Sequence, residues 1–192
     1  MNTQKKMSVQ TMALGAVLTA LVVVLQFLGA FVRFGPFQIS LVLVPIVIGA
    51  AVGGAGLGGW LGFIFGLVVL LNGDAAAFLA VNAVGTVLTV LLKGTLCGVV
   101  AGKVYRLLAE KNKTLAVIAA ALACPVTNTG VFLIGCVLFF LNTIAAWGEA
   151  AGFTNVFEYL VVGMVGINFL VETAVNLVLA PVITRLLKQR GL

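Results

Sequence analysis

Histidine is absent from this sequence, and aspartate occurs once, at Asp74. The first absence excludes imidazole acid–base chemistry and histidine metal ligation, and the second excludes a membrane aspartyl dyad. No GxxxxGKS/T stretch is present, so the chain has no phosphate loop with which to hydrolyse ATP. Cys97, Cys124 and Cys136 stand singly inside apolar segments, without a CxxC pair, which argues against a disulfide framework and against a thiolate metal site. Charge is scarce as well: Asp, Glu, Lys and Arg make up 8% of the 192 residues, too few to cover a soluble domain of this size. An enzyme is therefore not expected, and neither is a metal or cofactor bound by the chain itself.

What is abundant is apolar surface. Hydrophobic residues account for 62% of the chain, with 23 glycines among the rest. The charges gather in short segments between apolar stretches of about 20 residues, the length of a helix across hydrocarbon. The expected fold is an all-α integral membrane protein, a single transmembrane domain over residues 1–192 built as a bundle of six helices. The spans read as Ser8–Phe31, Ile39–Val52, Leu57–Leu71, Asn82–Leu108, Thr114–Leu141 and Tyr159–Leu187. The second and third are separated only by the glycine cluster Gly53, Gly54 and Gly56, and they are equally readable as one broken or re-entrant unit. A loop from Asn142 to Glu158 carries Trp147, Glu149 and Phe153. Lys5 and Lys6 before the first span resemble a secretory signal, but the apolar stretch is long and lacks a clear cleavage site, so a retained helix is expected.

The net charge of +6 reads as topology and not as affinity for nucleic acid. With six spans both termini share a side. Lys5, Lys6, Lys103, Arg106, Lys111, Lys113, Arg185, Lys188 and Arg190 then fall at cytoplasmic ends, accompanied by Glu110, while Arg33, Asp74, Glu149 and Glu158 lie outside.

Inside the spans two patterns recur. Gly54, Gly58, Gly62 and Gly66 repeat every four residues, as do Gly94, Gly98 and Gly102; each series lies along one helix face and permits close helix approach. Polar residues form stripes of their own: Asn82, Thr86, Thr89 and Lys93 on the fourth span, Asn168, Glu172 and Asn176 on the sixth. Counted from the outer ends, Lys93 is about 11 and Glu172 about 13 residues deep, which at about 1.5 Å per residue puts both near the midplane. An ionisable group there is costly unless it pairs, binds something or lines a polar cavity. Two readings stay open: an ion pair that joins two helices, or a site where Lys93, alone or with Glu172, takes the polar end of a solute. Pro125-Val126-Thr127-Asn128-Thr129 breaks the fifth span's hydrogen bonding, and Asn128 needs several partners in hydrocarbon. Trp147, Phe153, Phe157 and Tyr159 form either an interfacial aromatic belt or a lid.

These features together resemble the substrate-binding, or S, components of energy-coupling factor (ECF) transporters, which capture vitamins in bacteria. The resemblance rests on the size, on Ala16-x-x-x-Ala20 in the first span, and on Phe34-Gly35-Pro36-Phe37 running into Pro45-Ile46-Val47-Ile48-Gly49-Ala50. It rests also on the glycine-rich third span, on Lys93-Gly94-x-x-x-Gly98-x-x-x-Gly102 and on the Pro125 to Thr129 segment. It implies a multi-pass protein of the bacterial cytoplasmic membrane that works with a transmembrane coupling subunit and two cytoplasmic ATPase subunits, the ATP being used by those partners. Ala16 and Ala20 would contact the coupling subunit, and the loop bearing Arg33, Phe34 and Gln38 would close the outer gate. Lys93, Asn128, Glu172, Asn82, Asn168 and Trp147 would bind the vitamin.

The ligand is narrowed less than the class. Where a riboflavin binder is expected to show an acidic stretch entering the second span, Gln38-Ile39-Ser40-Leu41 stands instead; a thiamine binder is expected to carry more aromatic and acidic residues near the outer loops. Lys93 suits a carboxylated, pantothenate-like ligand, with riboflavin, folate and cobalamin as alternatives. A self-contained secondary carrier, or a scaffold in which Lys93 and Glu172 are only a structural pair, is the reading from a different class. A carrier would be expected to show internal repeats, and none is evident.

Overall fold

The protein is described by a computed structural model covering residues 9–29, 33–34, 37–38 and 41–189. Nearly all of it is helix. α1 (Val9–Gly29) leads to a minimal antiparallel ladder, β1 (Arg33–Phe34) against β2 (Phe37–Gln38), followed by α2 (Leu43–Leu71) and the short α3 (Ala76–Val81). α4 (Ala83–Ala109) and α5 (Lys113–Phe139) are long helices started by asparagine caps: Asn82 accepts from the Gly85 amide at 2.9 Å and Asn112 from the Leu115 amide at 3.0 Å. α6 (Leu141–Ala150) and the single turn α7 (Val156–Glu158) precede a π-helical segment, Tyr159–Gly166, that runs into α8 (Ile167–Gln189).

Among the described residues, five stretches are long and apolar enough to cross a membrane: Val9–Gly29, Leu43–Leu71, Ala83–Ala109, Lys113–Phe139 and Val156–Arg185. The six expected segments are found within these five because α2 is folded into two arms. Gly54 breaks it at φ 70° and ψ −166°, a conformation open to glycine alone. A Cβ placed on Gly58 would lie 2.8 Å from the Ala50 Cβ, whereas residues eight apart in a straight helix are separated by about 12 Å. The chain therefore reverses at Gly54. The first arm, from Leu43 to the break, is about 16 Å long, roughly half the hydrocarbon thickness, so the expected span Ile39–Val52 is shorter as a helix than the sequence pattern implies.

Contacts between helices give the directions. Gly15 faces Leu57, the Trp60 indole donates to Thr19 Oγ1 at 3.2 Å, and Gln26 bonds to Asp74 at 2.8 Å, so α1 runs parallel to the second arm of α2. That arm is antiparallel to α4, and the two glycine series meet along the seam: Gly58 with Gly98, Gly62 with Gly94, and Gly102 with Ala55. Backbone packs directly on backbone there, which any side chain would prevent. The main core is filled by Leu18 and Val22 of α1, Ile46, Val47, Leu61 and Phe65 of α2, Cys97 and Ala101 of α4, Ala120 and Ala121 of α5, and Ile183 of α8. A second cluster joins Phe78, Cys136, Phe140, Ile144, Leu160, Met164 and Val165 at the other end.

Lys103, Arg106, Lys111, Lys113 and Arg185 gather at one end of the bundle, which is the cytoplasmic end by the positive-inside rule; Asp74, Glu149 and Glu158 lie at the opposite, outer end. Lys5, Lys6 and Arg190 lie outside the described residues. The expected loop from Asn142 to Glu158 is largely helical, with α6 and α7 stacked at the outer end. Its weak hydropathy reflects a position at the membrane surface and not a lack of regular structure.

Candidate functional site

The second arm of α2 closes against α4 because glycines face each other, and this close approach brings Phe65 over Lys93. The ammonium of Lys93 sits 5.5 Å from the centroid of the Phe65 ring and 5.4 Å from that of Phe132 on α5. Two aromatic faces thus replace part of the hydration the ammonium has lost. Phe132 is one turn beyond Asn128 on the same face of α5, past the helix interruption at Pro125.

These residues form one wall of a cavity of about 370 Å³ in the outer half of the bundle. α2 contributes Phe65 and Val69; the connection after it contributes Gly73, Asp74 and Ala75; α3 contributes Phe78. Thr86, Thr89, Val90 and Lys93 come from α4, Asn128, Thr129 and Phe132 from α5, and Asn168, Phe169 and Glu172 from α8. Met164 and Val165 of the π-helical segment, Gln26 of α1, Ala76 and Ala77 of α3, and Phe140 complete the lining. Thr89 Oγ1, Asn128 Oδ1 and Asn168 Oδ1 are buried without a hydrogen-bond partner among the described residues, although such atoms are nearly always paired in native structures. Three helices thus contribute polar side chains to the lining of one space that also holds a lysine and two carboxylates. That arrangement is equipped to bind a small polar solute.

A family model described as ECF transporter, substrate-specific component, matches residues 10–184. The chain belongs to this family. No curated protein and no solved structure matches it. As an S component it is an integral membrane subunit that binds substrate for an ECF module of transmembrane and ATPase subunits.

Of the residues singled out from the sequence, Lys93, Asn128, Asn168 and Glu172 meet in the S component's cavity, and Glu172 lies within electrostatic range of Lys93. Asn176, the last member of its stripe, is a turn deeper and outside the lining; its amide donates to the Glu172 carbonyl at 2.8 Å. Asn82 is also outside the lining, its side-chain oxygen engaged in capping α4. Trp147 stands behind the cavity wall, edge-on to Phe78 at 5.4 Å, in a cluster where Phe78 also meets Phe140 at 5.0 Å and Phe132 at 5.8 Å. Of the gate-loop residues, Arg33 and Phe34 form β1 and Gln38 belongs to β2. Ala16 and Ala20 are exposed on α1, on the face away from buried Gly15 and Leu18.

Gln26, Asp74, Phe65 and Phe132 escaped the sequence reading. Gln26 had a usable signal, as a lone amide in an apolar helix, equivalent to the argument made for Asn128. Asp74 stands in the sequence only as the single aspartate and an outer-side charge, and the two phenylalanines are indistinguishable from core residues until the helices are packed.

Proposed function

We propose that this S component captures a small carboxylated vitamin of pantothenate-like chemistry at the outer face of the membrane. The Lys93 ammonium, held between Phe65 and Phe132, receives the carboxylate, and Asn128, Asn168 and Thr89 hydrogen-bond the rest of the ligand. The observation that carries this reading is the gathering of Lys93 with the polar residues Thr89, Asn128 and Asn168 around one cavity of about 370 Å³. A volume near the lower end of the usual range for ligand pockets favours a small vitamin over cobalamin. Phe78 and the outer aromatic cluster cover the cavity, with Trp147 bracing that cover from behind. The exposed Ala16 and Ala20 present a smooth surface for the coupling subunit, whose ATPase partners supply the energy for delivery inward.

Native mass spectrometry of the detergent-purified chain with a mixture of B vitamins is the direct test. Retention of one carboxylated vitamin, lost in Lys93→Gln, is the expected result. Retention of an uncharged vitamin, indifferent to Lys93→Gln, would overturn the assignment of the carboxylate end. With the family established, the carrier and scaffold readings recede. The Lys93 and Glu172 pairing remains compatible with binding, because a ligand carboxylate can share the lysine with Glu172.

A further inference from the structure

The cavity carries a second polar pole that the proposed carboxylate site does not use. Gln26 of α1 is 1% exposed, and its amide donates to Asp74 Oδ2 at 2.8 Å; the Asn72 amide donates to the same oxygen at 2.6 Å, and the Asp74 backbone amide returns a bond to Asn72 Oδ1 at 3.1 Å. These bonds hold the Asp74 carboxylate at the outer end of the lining, where both Gln26 and Asp74 face the cavity. Lys93 stands at the level of Phe65. From Phe65 to the end of α2 is about 10 Å of helix, so the two poles are separated by roughly the length of a small extended molecule.

The two ends of the cavity differ in chemistry, with Lys93 at the level of Phe65 and the Asp74 carboxylate at the outer end. A ligand that presents an anion to Lys93 and hydrogen-bond donors to the outer carboxylate meets complementary groups at both ends. A carboxylate accepts hydrogen bonds at about four lone-pair positions, so it serves several donors at once, a ligand hydroxyl among them.

We infer that Asp74, positioned by Gln26 and Asn72, is a specificity-determining residue that selects ligands bearing hydroxyl donors at the end opposite their carboxylate. This rests on the carboxylate reading above and refines its substrate class: an extended molecule with an anion at the Lys93 end and a hydroxylated head under the outer cover. Bonds from a neutral hydroxyl to a carboxylate are the stronger, charge-assisted kind, and an analogue lacking the hydroxyl would forgo that bond to half-buried Asp74.

Calorimetric titration of the full chain in detergent with three probes tests this: pantothenate, panthenol, which keeps the hydroxyls and lacks the carboxylate, and N-(3,3-dimethylbutanoyl)-β-alanine, which keeps the carboxylate and lacks the hydroxyls. Asp74→Asn is expected to weaken pantothenate and panthenol by about tenfold or more and to leave the hydroxyl-free analogue unchanged. Lys93→Gln is expected to do the reverse, weakening the two carboxylates and sparing panthenol. If Asp74→Asn weakens all three probes by the same factor, Asp74 only holds α1 to the connection after α2, and the inference fails while the carboxylate reading stands. If wild-type protein binds panthenol as tightly as pantothenate and Lys93→Gln changes neither, the carboxylate reading fails independently. Absence of binding by every probe to folded wild-type protein overturns both.

Discussion

A lysine near the middle of a membrane helix costs about 2.5–3.5 kcal/mol unless its surroundings compensate. At Lys93 they do so with unusual materials, two phenylalanine rings at 5.4 and 5.5 Å and the nearby carboxylate of Glu172. Removing the charge should therefore harm ligand binding more than folding. Lys93→Gln is expected to lower affinity for a carboxylated vitamin by about 10- to 150-fold, the equivalent of one charge-assisted hydrogen bond, while the melting temperature in detergent stays within a few degrees; titration calorimetry beside a thermal scan checks both. The exchange of partners, Lys93→Glu with Glu172→Lys, separates pairing from binding. Folded protein that no longer binds is the expected result, and recovered binding would mark the two residues as an ion pair whose polarity does not matter.

At the scale of elements, the seam between α2 and α4 is the most exacting part of the fold. A methyl on Gly62 would run into the Gly94 carbonyl, and one on Gly98 into that of Gly58. Because both helices present backbone at these points, neither has a flexible side chain to move aside. Gly62→Ala is expected to destabilise by about 1–3 kcal/mol and to weaken binding as well, since prising α2 from α4 draws Phe65 away from Lys93; thermal unfolding and titration of the same sample read both effects. Gly54 tests a different property. Nothing lies within 4 Å of a Cβ there, so Gly54→Ala meets no obstacle except its backbone conformation, and a loss of about 1–3 kcal/mol would measure the cost of reversing α2 without glycine.

At the scale of the whole molecule, the proposed binding cavity and the proposed coupling face lie on different surfaces. The cavity opens among the outer halves of the helices, whereas Ala16 and Ala20 lie exposed on α1, on the side turned from the core. Replacing both alanines by tryptophan adds bulk to positions that are exposed among the described residues. Such a protein is expected to bind its vitamin with unchanged affinity and to lose uptake when assembled with its coupling module in proteoliposomes. Uptake equal to wild type would show that this face is not where the module docks.

Composition, periodicity and charge were sufficient to determine the membrane class, because hydrocarbon imposes its demands residue by residue along each span, whereas the family was legible only through its resemblance in motifs such as Lys93-Gly94-x-x-x-Gly98 and Pro125 to Thr129. A helix must be about 20 residues long, polar groups must be shielded, and basic residues collect on one side. The same logic located Lys93, Asn128, Asn168 and Glu172, each conspicuous as a polar group in an apolar run. Only the tertiary structure decided that Asn82 is occupied as a cap, that Trp147 stands behind Phe78, and that Gln26 and Asp74 join the cavity from opposite sides of the chain. Periodicity assigns a residue to a face of its own helix, but the face it meets depends on how helices distant in sequence pack. Here that packing is set by two glycine stripes whose meeting no single stretch of sequence records.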